Sequence, residues 1–303
     1  MRHADVRRAL LLEIVVRDLD RFRKFLGQLF GNRLALAGLG IIVFFTVLSF
    51  SAPLLVGHYP SPLESGSPNQ APSWSGHWLG TDIQGRDTLT LLIYGGQVSL
   101  IIGLVASLVA MILGTTVGLV GGFYRGTTDQ LLARATDFFL VIPWLPFVLI
   151  LVLVLGSSLG TIIVAIAVVS WPTTARVIRS QVLTLKERQF IERSRSFGAG
   201  NLFIIRKHIL PNVMPLVWAE AVLTVSNSVF TEAFLSFFGL GATGVYVSWG
   251  TMVNDSYHTG ALLLGRWWYF GPPGIFITLV VLGFAMLGYG LEEILNPALR
   301  RRR

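Results

Sequence analysis

Long apolar stretches alternate with short polar segments along the 303-residue chain. A bilayer core needs about 20 mostly apolar residues per helix. By that measure the pattern predicts spans over 34–56, 97–122, 138–157, 159–178, 211–237 and 272–291. The third and fourth are separated only by Gly156–Gly160, a tight turn suited to a helical hairpin. Pro143 and Pro146 sit early in the third span, where tertiary contacts tolerate them with a kink. The expected fold class is therefore an all-α integral membrane protein with six spans and both termini on one side.

Composition supports this reading. Hydrophobic residues make up 53% of the chain and charged residues 13%, and the mean hydropathy is +0.66, a balance poorly suited to a soluble domain of this size. The net charge of +8 would draw attention to nucleic acid, but its distribution decides otherwise. Of the 24 basic residues, all except Arg86 and Arg266 fall on one side of the expected topology. The positive-inside rule makes that side the cytoplasm. The expected organisation is a cytoplasmic segment at 1–33, a first span, an extracytoplasmic loop at 57–96, a core at 97–291 and a basic cytoplasmic tail at 292–303. A cleaved leader is not expected, because the polar start is too long for an n-region and the small residues at 49–52 run into Pro53. With no cysteine, disulfides and cysteine nucleophiles are excluded.

Most candidate chemistry has a plain structural reading. Gly239–Gly244 matches GxGxxG but follows a span instead of a strand, and is read as a flexible helix end. None of Lys24, Lys186 and Lys207 follows a glycine or precedes Ser/Thr, so no Walker A loop can form. His77, Asp82 and Asp87 have no standard metal-site spacing, and no metal site is expected. Gly114, Gly118 and Gly122 form a small-residue face for close helix packing. Trp249, Trp267, Trp268 and Tyr269 suit either an interfacial belt or the lining of a mouth. Glu220 and Glu232 lie within the fifth span, where an ionisable group faces a bundle interior or an aqueous path. Their separation puts them about 120° apart around a helix axis, so they do not share one stripe. A proton relay between them, in an ion-coupled secondary transporter, is one alternative.

The segment IERSRSFGAGNLFIIRKHILPN (191–212) is more specific. Phe190, Ile191, Ser194 and Phe197 fall near one helical face, with Glu187, Arg188, Glu192, Arg193 and Arg195 over the rest. Gly198 and Gly200 suit a left-handed helix stop, and Pro211 suits the first turn of the next helix. A short amphipathic helix of this kind can rest on anionic lipid or be offered to a protein partner.

Several stretches in order, HWLGTDIQGRDTLTLLIYGGQVSLIIG (77–103), GFYRGTTDQLLARATDFFLVIP (122–143), WPTTARVIRSQVLTLKERQFIERSRSFGAG (171–200), EAFLSFFGLG (232–241) and GYGLEEILNPALRR (288–301), resemble the C-type permease subunit of dipeptide/oligopeptide ABC importers. The resemblance covers nearly the whole chain and implies the type I ABC importer permease fold. Family members carry an EAA motif in the cytoplasmic loop before the fifth span. Here Glu192 and Gly198 hold their places, while Arg193 and Ser194 stand where two alanines are usual. The resemblance implies coupling to an ATPase through Ile191, Glu192, Arg193, Ser194, Phe197, Gly198 and Ala199, in a helix near 187–200. Glu220, Asn227 and Glu232 are candidates for the translocation path. Implied partners are a homologous permease subunit in a heterodimer, two ATP-binding cassette subunits, an extracytoplasmic solute-binding protein and membrane lipid. No cofactor is expected in this chain, with ATP and magnesium on the ATPase subunits, and no catalytic residue. Relatives with this pattern also carry nickel or oligosaccharides.

Overall fold

The computed structural model describes residues 23, 26–60, 66–74, 76–242 and 247–295. Most of the expected N-terminal segment and most of the basic tail lie outside them, as does Gly244 of the glycine motif. Among the described residues the architecture is helical, with one isolated β-bridge between Thr81 and Asp87.

Helix α1 (Arg33–Phe50) starts where the Asn32 side chain accepts a hydrogen bond from the Ala35 amide at 3.0 Å. It ends sooner than expected, because Pro53 cannot continue the ladder and the chain turns at Ser51 into a short helix, Ala52–Leu55. Helix α2 (Thr88–Phe123) starts earlier than expected, capped by Asp87, whose carboxylate accepts from the Thr90 amide at 2.7 Å. Its first turns carry Leu91 and Leu92 into the core.

The largest departure lies at the third expected span. In place of one kinked helix over 138–157, helices α3 (Thr127–Val141) and α4 (Trp144–Leu155) meet at 90°. Pro143 drives Ile142 out of the helical region, to φ −68° and ψ 127°, and the ladder breaks there. Pro146 then falls in the first turn of α4, where its missing N–H leaves no bond unmade.

Helix α5 (Leu159–Lys186) extends well past the apolar stretch. Its polar second half lies along α3, where Arg176 donates to Asp137 at 2.7 Å and Arg179 grips both oxygens of Asp129, at 2.6 and 2.9 Å. Helices α2 and α5 touch along the glycine face. A Cβ on Gly114 would meet the Trp171 carbonyl at 2.7 Å, and one on Gly118 the Ala175 carbonyl at 2.7 Å. This backbone approach is what the four-residue spacing requires.

A short helix, α6 (Gln189–Ser196), leads to α7 (Asn201–Leu240). Pro211 does not open a new helix, as the sequence suggested. It lies inside α7, just after a π turn at Ile205–Ile209, where the Leu210 amide bonds the Ile205 carbonyl. The widened turn makes room for the proline ring that a regular ladder would exclude. Helix α8 (Trp249–His258) carries a capping box between Ser248 and Thr251. The last helix, α9 (Trp267–Leu295), holds Pro272 and Pro273 inside its N-terminal part, so it starts before the expected boundary at 272.

Helices α1, α2, α5, α7 and α9 are each long and apolar enough to cross a membrane, and the bent α3–α4 pair makes up to six spans. The aromatics expected at an interface or mouth divide. Trp249 is fully buried, its ring edge-on to Phe45 and Phe276 and its indole N–H donated to the Leu92 carbonyl at 2.8 Å. Tyr269 is buried as well, whereas Trp267 remains exposed.

Candidate functional site

Two features of the structure carry candidate function, a cavity bounded by α3, α4, α5 and α7 and, at one end of the bundle, the short helix α6. Its end is a Schellman motif: Gly198 adopts φ +81°, its amide bonds the Arg195 carbonyl at 2.8 Å, and the Ala199 amide bonds the Ser194 carbonyl at 3.1 Å. Gly200 has ordinary φ and precedes α7, so only Gly198 acts as the left-handed stop.

One face of α6 is anchored. Ile191 is fully buried in a cluster with Ile178 and Val182 of α5 and Ile204, Ile209 and Val213 of α7. Ser194 lies 3.3 Å from His208 Nε2, inside the π turn of α7. The other face is free, and Glu192, Arg193, Phe197 and Gly198 are exposed, with Ala199 half-buried. Phe197 was expected beside Ile191, but 91% of it is exposed. It is the C-cap, where the chain is already leaving helical register toward Gly198. The two residues standing where alanines are usual point apart, Arg193 outward and Ser194 toward His208.

The cavity, of about 540 Å³, lies where the α3–α4 break faces α5 and α7. Ile142, Pro143 and Trp144 form one wall, Ser170 and Thr173 of α5 another. The third wall is a stripe on α7 made of Glu220, Thr224, Asn227 and Thr231. Thr224 and Thr231 donate their hydroxyls to the carbonyls of Glu220 and Asn227, at 2.8 and 2.7 Å. Each hydroxyl oxygen keeps lone pairs with which it can accept. The stripe can hydrogen-bond amides and attract a cationic group.

Of the three path candidates, the structure brings Glu220 and Asn227 together and leaves Glu232 apart. Glu232 is fully buried and does not line the cavity. Its Oε1 accepts from Ser236 Oγ at 2.7 Å, and Ser236 Oγ in turn lies 3.3 Å from Ser248 Oγ at the cap of α8. Here the carboxylate ties α7 to α8. The sequence reading missed Thr224 and Thr231, although their spacing from Glu220 and Asn227 already marks one helical face.

The residues of the 77–87 loop weighed as ligands hold that loop instead. His77 Nδ1 lies 2.7 Å from Asp87 Oδ2, and buried Asp82 pairs with Arg86 at 2.7 Å.

Comparison with known proteins adds three findings. The family model for the binding-protein-dependent transport system inner membrane component matches residues 114–301, and that for the N-terminal TM domain of oligopeptide transport permease C matches 21–72. The dipeptide transport system permease protein DppC of Bacillus subtilis (strain 168) is 40% identical over 270 residues, 89% of this chain and 83% of that protein. The oligopeptide transport system permease protein OppC of the same organism is 37% identical over 89% of this chain and 87% of its own length. Among solved structures, the inward-facing MetNI methionine ABC transporter matches with a TM-score of 0.54 at 20% identity, covering 68% of this chain and 94% of that one, a likeness of fold.

Proposed function

The chain belongs to the family of binding-protein-dependent transport system inner membrane components, and on that premise we propose that it passes di- or oligopeptides through a pathway it half encloses, driven through α6. It is a multi-pass permease subunit of an ABC importer, and ATP hydrolysis belongs to separate ATPase subunits. The finer reading concerns cargo, the coupling residues and the partners.

One observation carries it: the same helices that anchor α6 also line the cavity. Ile191 sits between α5 and α7, and α7 continues from that anchor to Glu220, Thr224, Asn227 and Thr231. A displacement of α6 therefore moves two cavity walls together. The exposed group Glu192, Arg193, Phe197 and Gly198, beside Ala199, supports docking to an ATPase subunit, because a large aromatic left in water gains by burial against a partner. ATP and magnesium would reside on that partner. Transport needs the two nucleotide states to favour different permease conformations, and α6 is the element on which that difference would act.

The cavity chemistry supports a peptide. The Glu220 carboxylate suits a cationic amino terminus, while Asn227 and the threonine oxygens suit amide groups. A homologous permease subunit, in a heterodimer, would close the side that this chain leaves open. An extracytoplasmic solute-binding protein would deliver cargo at the α8 end. This orientation puts both termini in the cytoplasm of a prokaryotic cell, at its inner membrane. The alternative of an ion-coupled relay from Glu220 to Glu232 is disfavoured, since only Glu220 lines the cavity.

Purification with its neighbours and reconstitution into proteoliposomes tests the reading. ATP-dependent uptake of a labelled dipeptide should require the ATPase subunits and the binding protein. Uptake that persists without any ATPase chain would overturn it.

A further inference from the structure

At the α6 end, a second cavity of about 500 Å³ is lined by Phe123, Tyr124, Arg125, Lys186, Arg195 and Asn201. It lies where α2 and α5 end, with Arg195 of α6 and Asn201 of α7 on its wall. Three cations surround it. Arg125 is paired with Glu187, but among the described residues no carboxylate lies within ion-pair distance of Lys186 or Arg195. Lys186 is only 8% exposed, and among the described residues its ammonium donates to one acceptor, the Gly122 carbonyl at 2.6 Å. The Arg195 guanidinium lies 5.6 Å from the Phe123 ring centre.

Such an arrangement is costly as it stands. A nearly buried ammonium retains its charge only with compensation, and a second cation beside the same cavity adds repulsion. An anion with several acceptor oxygens relieves both costs, and guanidinium and ammonium groups together suit phosphate. The place also fits, since basic pockets between span ends on the cytoplasmic side take lipid head groups.

We propose that this cavity binds a phosphate group, held by Lys186 and Arg195 with Arg125 at its rim and Asn201 donating from α7. Two sources share that chemistry, an anionic phospholipid head group and a free phosphate. Because Arg195 belongs to α6 while Lys186 ends α5, the bound phosphate clamps the docking helix to the spans. The inference rests on the membrane placement of α2 and α5, and not on the ATPase partner.

The test uses the full-length chain, purified with whatever subunits accompany it. Native mass spectrometry counts phosphatidylglycerol and phosphatidylcholine retained by the chain, and inorganic phosphate is titrated separately against its melting temperature. Wild type should retain phosphatidylglycerol over phosphatidylcholine, or be stabilised by phosphate alone, which distinguishes the two sources. Arg195→Gln and Arg125→Gln each should weaken the effective ligand about fivefold. Lys186→Gln should weaken it at least as much; the two arginine variants alter exposed side chains and keep the test interpretable if the lysine variant fails to fold. Equal binding by wild type and the Arg195→Gln variant, or binding of neither probe, would overturn the proposal. So would a site occupied only by a carboxylate of a copurifying protein. Retention is read whether or not an ATPase chain is present, so failure here and failure of the transport reading are distinguishable.

Discussion

The part of α7 around Glu220 and the part around Glu232 share a helix and a residue type, yet their surroundings differ in kind. Glu220 begins a stripe with Thr224, Asn227 and Thr231 that faces a cavity bounded by the α3–α4 break. Glu232 is fully buried away from that cavity, and its oxygen is held by Ser236, itself next to the cap of α8. An ionisable residue in a span is thus either a working surface or a joint, and its neighbours decide which. In this chain the carboxylate nearer to α6 lines the cavity, and the farther one belongs to the joint between α7 and α8.

The largest effect that would sharpen this contrast is on transport. Glu220→Gln should lower uptake efficiency for a dipeptide with a free amino terminus by about tenfold or more, the loss of a charge-assisted contact worth roughly 1.5–3 kcal/mol. It should spare an N-acetylated cargo and leave the melting temperature unchanged. Equal losses for both cargoes would remove Glu220 from cargo contact. Glu232→Leu should act the other way, through stability. It strands the Ser236 hydroxyl at a cost of about 1–3 kcal/mol, read as a lower melting temperature and a poorer yield of assembled complex. Glu232→Gln keeps an acceptor for Ser236 and should recover most of that loss. A Glu232→Gln variant that folds normally but does not transport would return this residue to the path.

A smaller effect is expected at Asn227, where replacement by Ala should cost a few-fold in uptake, about 0.5–1.5 kcal/mol for one neutral hydrogen bond. Direct transport assays across a peptide series would expose any larger role. The smallest expected effect is a pH dependence in α8, which Glu232 helps to hold. Burial raises the Asp255 carboxyl of α8 above the usual carboxylate range, and the charge of Asp82 adds to this, while Arg86 and His258 oppose it. With the folded value raised, the folded state binds the proton more tightly. Stability from this group is present below the ordinary carboxylate pKa and is lost as pH rises through the raised one. Asp255→Asn should flatten that slope in melting curves across mildly acidic pH. An unchanged slope would assign it to another group.

How far the sequence reached follows the same physics. The apolar stretches located the long helices because a bilayer demands unbroken hydrophobic length. Their ends were less legible. Asp87 extended α2, and the Arg176–Asp137 and Arg179–Asp129 pairs support the polar half of α5, neither of which hydropathy registers. Pro143 was visible, but the choice between a kink and a 90° break depends on what packs against the corner. At Pro211 the outcome was reversed, because a π turn upstream accommodated the ring. The Gly198 stop was readable, since a left-handed helix end has so strong a preference for glycine. Trp249 illustrates the limit. Its position near a span end suggested an interface, but burial depended on Phe45 and Phe276 from helices distant in sequence.

If α6 transmits the work of an ATPase to the cavity walls, straining its stop at Gly198 should break that link. Its φ of +81° disfavours any residue with a Cβ, although a Cβ there would meet nothing within 4 Å. Gly198→Val therefore strains the helix stop without a clash, at about 1–3 kcal/mol for a disfavoured backbone region. The decisive measurement is ATP hydrolysis and peptide uptake followed together in the same proteoliposomes. The variant complex should still hydrolyse ATP while uptake per ATP falls at least tenfold. Uptake per ATP equal to wild type would contradict it.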